Sequence, residues 1–502
     1  MKRRVTRALA LGALLLALGW DRAGAQGYRL LLDSRAQRAA YRGVAADSIP
    51  IGDVVAGPTG GPRTPDGFAV RCPPGSAHCF FFRPGPRQEG RPMVTTADLT
   101  LWGVGVRGLS ARINGRVGFD LGGDEVWPGT EPPVQLLEAY VEYAHRLFTL
   151  HGGRQLLVNR LGIVGFDGGR ATGRVGRTGL ELEAYAGLGL ARATALPVTS
   201  PALDPLDDFQ PRSRQVLAGA ALGYRGRLAD LRLDYQREVD RDTRNFVSER
   251  AALSVDFFPV ERWSVAAAVD YDLANTWFGN ADARVRYVAP WITATGGLRQ
   301  YRPHFDLWTI WGAFSPVPYH AVNAGVQVRP MRGLEVRGRW ERYVFSSTET
   351  QTPLVDVDDD GWRAGVGISV SPAPAWRFDA GYREEYGPGA SSNGFDGTVT
   401  WLPTSTLSLT GYGATLDRPL EFRFDEASVD VVGIDAEWRP GSRLRLAVGG
   451  ARYWETRDRP DAAAFDWNQT RLHARVTLTL RSDTDALRLP PALRTRPRTG
   501  SR

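Results

Sequence analysis

The sequence predicts an all-β chain: an antiparallel up-and-down transmembrane β-barrel of about 22 strands (20–24), with short periplasmic turns and longer extracellular loops. Three observations carry that expectation. Apolar and polar residues alternate with a period of two along nearly the whole chain, the pattern of strands with one wet face. The connections between alternating segments are short and long by turns. After the N-terminus, no run approaches the ~18 consecutive apolar residues of a helical span.

The N-terminus has the three parts of an export signal. Lys2, Arg3, Arg4 and Arg7 precede an apolar run from Ala8 to Trp20, and Ala23-Gly24-Ala25 forms a small-residue cleavage site. Residues 1–25 therefore read as a signal peptide, and the mature chain is expected to begin at Gln26. The run is shorter than the roughly 20 residues that a membrane anchor needs. An exported chain enters from the periplasm, so the first strand must run outward; "YRLLLDSRAQRAAYR", residues 28–42, suits that role.

Residues 43–91 are rich in proline and glycine and do not alternate. They contain "RCPPGSAHCFFF", and Cys72 and Cys79 are the only cysteines. In an oxidising compartment this spacing fits a disulfide that closes a small hairpin. Haem attachment would need C-x-x-C-H, and His78 alone adds too little for zinc. The segment is expected at the extracellular end, as a cap or an infolded constriction, with the periplasm or the lumen as the alternative, and it is too short for a large globular plug.

Further on, alternating stretches follow one another: "MVTTADLTLWGVGV", "GLSARINGRVGFDLG", "VQLLEAYVEYA", "RLFTLHGGRQLLVNRLG" and a return strand at about Phe166 to Val175. "LRLDYQRE" sets Leu231, Leu233 and Tyr235 against Arg232, Asp234, Gln236 and Glu238. "GLEVRGRWERYVF" sets Leu334, Val336 and Trp340 against Glu335, Arg337, Arg339 and Glu341. "WRFDAGYREE" sets Trp376, Phe378 and Tyr382 against Arg377, Asp379, Arg383 and Glu385. The last stretch, "RLHARVTLTL", puts Leu472, Ala474, Val476, Leu478 and Leu480 on one face and Arg471, His473, Arg475, Thr477 and Thr479 on the other.

The turns separate a membrane barrel from a soluble sandwich. Short ones, mostly with proline, fall at Phe258-Pro259-Val260, Ala289-Pro290-Trp291, Pro330-Met331-Arg332, Ser371-Pro372-Ala373-Pro374, Leu402-Pro403-Thr404 and Pro440-Gly441-Ser442. Longer polar connections lie between them, at residues 301–319, 345–360, 416–426 and 455–467. A sandwich has no reason to segregate loop lengths in this way, whereas outer-membrane barrels do. Both ends then lie in the periplasm, which requires an even strand number. The barrel is expected over residues 26–481, with residues 482–502 as a flexible periplasmic tail, in the outer membrane of a Gram-negative-type bacterium.

Two segments carry a resemblance. "GGRQLLVNRLGIVGFDGGR", residues 152–170, resembles the stretch of alginate-export and related porin-type barrels where Gly-Arg-Gln leads through a loop to Phe-Asp-Gly. The resemblance covers under a tenth of the chain. It implies an inward-facing charged patch of Arg154, Asp167 and Arg170. "YRPHFDLWTIWGAFSPVPYH", residues 301–320, resembles loops of barrels that sheathe multihaem cytochromes; an ordinary loop folded on Trp308, Trp311 and Phe314 would read the same way.

The wet face carries both signs, with an excess of arginine: Arg232, Asp234, Glu335, Arg337, Arg339, Glu341, Arg377, Asp379, Arg383, Arg443, Arg445 and Arg475 are the lumen candidates. These residues imply either an ion-pair ladder filling the lumen or a wet pore that favours anions. The net charge of +7 is mild for 502 residues, and points to no nucleic-acid partner. Lys2 is the only lysine, which leaves the basic side to arginine. The six histidines have no metal-ligand spacing, and neither G-x-S-x-G nor H-E-x-x-H occurs, so no enzyme and no cofactor is expected. Asp356, Asp358 and Asp360 match the opening of a calcium loop, but position twelve is Gly367 rather than glutamate. The expected function is a porin-like channel for small polar solutes. The alternatives are a scaffold around a lumenal or periplasmic protein such as a multihaem cytochrome, or a polysaccharide export pore. Outer-membrane lipid and lipopolysaccharide are the expected surroundings.

Overall fold

The computed structural model describes residues 27–482, apart from residues 57–60, 123–133, 177, 191–214, 242–243, 245, 303–317, 347–359, 388–389, 422–425 and 459–466. The signal-peptide region and most of the C-terminal tail thus lie outside the described residues. So do Asp356 and Asp358 of the acidic loop, and Trp308, Trp311 and Phe314 of the aromatic loop.

Alternating runs become strands. The first is β1 (Gly27–Pro50), followed by the two-residue pair β2 (Val55–Ala56) and β3 (Pro62–Arg63), then β4 (His78–Gly90) and β5 (Pro92–Trp102). Next come β6 (Leu109–Asp120), β7 (Val134–Ala144), β8 (Phe148–Asn159), β9 (Gly162–Val175), β10 (Leu180–Gly189), β11 (Val216–Arg225) and β12 (Ala229–Val239). They continue as β13 (Phe246–Val260), β14 (Trp263–Asp272), β15 (Trp277–Val288), β16 (Ile292–Tyr301), β17 (Tyr319–Met331), β18 (Leu334–Phe345) and β19 (Asp360–Ala373). The last are β20 (Trp376–Gly387), β21 (Ala390–Trp401), β22 (Leu407–Glu421), β23 (Glu426–Trp438), β24 (Leu444–Asp458) and β25 (Trp467–Arg481).

From β5 onward each strand pairs antiparallel with the next, and β1 closes the ring. β1 pairs with β25 from Arg29↔Arg481 to Arg38↔Leu472, and with β5 from Gly27↔Trp102 to Ala36↔Met93. The result is a closed barrel of 22 strands, β1 and β5 to β25. Closure removes the exposed edges that an open sheet of this length would present. Every connection at the end that holds Gly27 and Arg481 is short; the long connections, such as those after β6, β10, β16 and β18, are all at the other end, which also has short ones after β8 and β20.

Beyond Arg38, the last β1 residue paired to β25, the strand leaves the barrel and pairs with β4, from Ala39↔Gly90 to Pro50↔His78. This two-stranded ribbon rises from the loop end. It carries a small head in which Phe68, Val70, Cys79 and Phe81 are buried, with Ile49, Val54 and Cys72 packed against them. Cys72 and Cys79 form the expected disulfide. About half of residues 43–91 is therefore strand, although the segment shows no alternation in its sequence. A ribbon outside the wall has no lipid on either face, so nothing imposes a strict period of two.

Which face meets lipid follows from exposure and register. Leu472 and Val476 on β25, Val432 and Ile434 on β23, Val322 and Val326 on β17, and Leu231 and Leu233 on β12 are exposed, and on β12 and β25 charged residues lie between them. Aromatic residues cluster at both rims of this apolar band. At the turn end, Trp263 packs at a tilt against Tyr287, and Trp376 stacks with Phe378 and Trp401. Toward the loop end Tyr271 meets Phe278 edge-on, and Tyr386 and Trp454 are exposed. An apolar band with aromatic girdles is the outer surface of a transmembrane barrel. The apolar face of "RLHARVTLTL" is part of that surface.

Candidate functional site: an infolded hairpin and an arginine wall

The β8–β9 hairpin leaves the wall and enters the lumen. A row of three glycines runs across the bend: Gly153 on β8 pairs with Gly168 on β9, which pairs with Gly187 on β10. A Cβ at Gly153 would lie 2.3 Å from the Ala139 carbonyl oxygen, and its φ of +125° disfavours any other residue. At Gly168 a Cβ would lie 2.1 Å from the Ala186 carbonyl oxygen. Backbones approach here more closely than side chains allow, and the sheet turns sharply inward.

Beyond this row the hairpin packs against the inner wall. Leu157, Val164 and Phe166 form a buried apolar cluster with Tyr185 on β10 and Leu217 on β11; Phe166 is 0% exposed. The Tyr185 hydroxyl donates to Gln236 Oε1 at 3.2 Å, and Gln236 Nε2 donates to Glu238 at 2.6 Å. At the tip, Arg250 on β13 donates from Nη1 to the Leu161 carbonyl at 3.0 Å, and Arg160 pairs with Asp282 on β15 at 2.5 Å. The tip therefore reaches side chains of strands four and six places beyond β9 in the wall. A hairpin can do this only by crossing the interior.

The wall from β15 to β20 carries the second feature. Arg284 and Arg286 on β15, Arg337 and Arg339 on β18, and Arg383 on β20 point inward and are exposed. None of the five lies within 4 Å of a described carboxylate, although Arg337 interacts electrostatically with Glu335 and Asp379 on the same face. Small residues lie between them in register: Arg339 pairs with Gly365, which pairs with Arg383, and Arg337 pairs with Gly367. The guanidinium groups thus have room to lie along the wall with open faces toward water. Closer to the loop end the pattern changes. Glu341 accepts from Arg299 at 2.9 Å and from Arg363 at 2.8 Å, among the rings of Tyr301, Tyr319 and Tyr343.

The other expected lumen residues fall into three groups. Arg170, Arg232 and Asp234 point inward and meet beneath the hairpin: Glu183 pairs with Arg170 at 2.8 Å and with Arg232 at 3.2 Å, and Arg232 pairs with Asp234 at 2.9 Å. Arg475 pairs with Asp33 at 2.5 Å, Arg377 with Asp379 at 2.8 Å, Arg329 with Glu335 at 2.9 Å, and Arg445 lies 3.5 Å from Glu437. Two expectations need correction, and Asp360 of the acidic loop finds its place. Arg154 and Asp167 pair with each other at 2.7 Å, but in register with Gly152, Leu156 and Ile163 they belong to the outward row. The resemblance implied a lumen patch, whereas the period of two places Gln155 and Phe166 inward. Arg443 lies exposed in the turn after β23, because Pro440-Gly441-Ser442 lengthens that turn past it. Asp360 opens β19 and pairs with Arg342 at 2.7 Å on the outer face.

Sequence reasoning missed Arg160, Leu161, Arg284 and Arg286. Alternation in "ADARVRY" would have found the last two. The hairpin contacts had no such signal, since they span six strands.

A scan against protein-family models gave no match, and a search of curated proteins gave none either. Among solved structures, the chain is similar to the ferric enterobactin receptor PfeA: TM-score 0.53 at 10% identity, over 92% of this chain and 82% of that one. A mutant form of that receptor from Pseudomonas aeruginosa gives a TM-score of 0.52 at 10% identity, over 92% and 81%. OccAB1 from Acinetobacter baumannii matches at TM-score 0.40 and 7% identity, over 92% and 100%. At these identities the PfeA likeness is one of fold: a large barrel of the outer-membrane type.

Proposed function

We propose that this protein is an outer-membrane channel for small polar solutes with a preference for anions. In this reading the pore is off-centre. The infolded β8–β9 hairpin bounds it on one side, and the β15–β20 wall bounds it on the other. The short-turn end faces the periplasm, and the chain reaches the membrane through its N-terminal export signal.

The observation that carries the anion preference is the set of five inward arginines without an ion-pairing carboxylate among the described residues: Arg284, Arg286, Arg337, Arg339 and Arg383. Arginines of this kind in a water-filled constriction attract anions and repel cations. Acidic side chains of β10 and β12 offer no opposing track, because Glu183 and Asp234 are buried beneath the hairpin with Arg170 and Arg232. A lumen partly filled by its own hairpin also leaves less room for a sheathed protein than an empty one would.

Efflux from proteoliposomes tests the proposal. Two solutes of equal size and opposite charge, gluconate and N-methylglucamine, are loaded together. Faster release of gluconate supports the reading; equal release refutes selectivity, and no release of either refutes the channel.

A further inference from the structure

Among the described residues, the barrel wall is unzipped between β7 and β8. These strands pair only from Ala139↔Arg154 to Ala144↔Thr149, although β7 begins at Val134 and β8 runs to Asn159. Over residues 134–138 the β7 edge that faces β8 has no described strand beside it, because the hairpin has turned into the lumen. On its far side β7 stays zipped to β6, with Leu137 as an extra residue where Asn114↔Glu138 gives way to Gly115↔Leu136.

Depth decides what this opening faces. Leu136 is level with Gly115 and Val134 with Val117 on β6. One pair further toward the loop end, Phe119 pairs with Met93 of β5 and is itself exposed on the outer face. The apolar band therefore continues past the opening, which lies beside the leaflet nearer the loop end. A bare strand edge in hydrocarbon is costly, and irregular backbone at that depth is tolerated where it lines a cavity or gains donors from side chains. Arg154 supplies one such donor: its Nη1 donates to the Leu136 carbonyl at 3.0 Å, while its Nε is bound to Asp167.

The two sides of the opening are apolar. Val134, Leu136 and Leu137 line the β7 side; Leu156, Val158 and Ile163 line the hairpin side, and all six are between 38% and 67% exposed. The opposite face of the same hairpin buries Leu157 and Val164 against the inner wall. A hairpin tip standing in water would have no reason to keep three large apolar side chains on its exposed face.

We propose that this seam is a lateral portal, through which the alkyl chain of a membrane amphiphile passes between the leaflet nearer the loop end and the apolar exposed face of the β8–β9 hairpin. The occupant follows from position. Lipid chains are the medium on the outer side of the seam, and above the Arg154–Asp167 pair, which bridges to the Leu136 carbonyl, both sides are apolar. The Arg154–Asp167 pair closes the seam at its lower limit, where β7 and β8 zip together. This route is separate from the aqueous path along the arginine wall.

Nitroxide labels test the portal. Single cysteines replace Leu156, Val158, Ile113 (outer wall) or Arg339 (lumen wall) in the full chain, in vesicles of phosphatidylethanolamine and phosphatidylglycerol. Cys72 and Cys79 are paired in the disulfide and leave the new thiol free to react. The labels at 156 and 158 are expected to collide with oxygen and exclude a water-soluble nickel chelate, as the label at 113 does. Nickel access like that at 339 would overturn the proposal, since the seam would then hold water. Dipolar broadening between labels on separate molecules would also overturn it, by showing that a second copy covers the β7 edge. In detergent, added palmitate is expected to slow the label at 158 but not the one at 113; equal mobility at 158 with and without palmitate counts against the portal.

Discussion

At the scale of single residues, partnering matters more than charge. The sequence holds arginines on most of the barrel strands, and alternation assigns most of them to one face. It does not say which are neutralised. Arg170 and Arg232 lie against Glu183, while Arg339 has no ion-pairing carboxylate among the described residues. Their effects on conduction should therefore differ. Arg339→Glu is expected to shift the reversal potential toward cation selectivity, with Arg337→Glu acting in the same direction. Arg232→Gln leaves the Glu183 and Asp234 carboxylates buried with one partner fewer, so its main effect is expected on heat-modifiability rather than on selectivity. Equal selectivity in Arg339→Glu and the parent protein would contradict this assignment. The outward Arg154–Asp167 pair gives the converse lesson: a local resemblance placed it in the lumen, and the strand period, read residue by residue, places it outside.

Among elements, the β8–β9 hairpin is the one whose behaviour its own sequence does not reveal. Its strands and turn were legible, as was the β1 start and each short proline turn, because those features depend on neighbours a few residues apart. The inward bend depends on Gly153, Gly168 and Gly187 meeting across three strands, and on Arg250 and Asp282 receiving the tip. Such contacts have no local period. Replacing residues 155–166 by a tight turn is expected to raise single-channel conductance by about twofold or more, since a barrel of this strand number is otherwise wide. Phe166→Ala removes the centre of the apolar cluster, a loss of about 3–5 kcal/mol for a buried phenylalanine. It is expected to produce noisy, fluctuating conductance in a barrel that still assembles. Quiet currents from that variant would show that the hairpin is not held by the cluster.

For the whole molecule, the barrel is set by which side chains face lipid. Strand number, turn placement and closure were readable because the bilayer imposes the same rule on every wall strand. The ribbon and its disulfide-closed head escaped that rule, and so did their strand content. Val476→Arg on the outer band is expected to destabilise the barrel by about 2–4 kcal/mol, the cost of arginine near the bilayer midplane, measured by unfolding in vesicles. Loss of the disulfide through Cys72→Ser with Cys79→Ser is expected to loosen the head, seen as faster proteolysis there, and to leave barrel unfolding unchanged. A matching drop in barrel stability would mean that the head supports the wall.

The most direct test of the channel reading is the reversal potential of single channels in a planar bilayer under a potassium chloride gradient. Stable conductance with a potential on the chloride side is expected from the arginine wall. A potential on the potassium side, or a correctly folded barrel that passes no current, would contradict it.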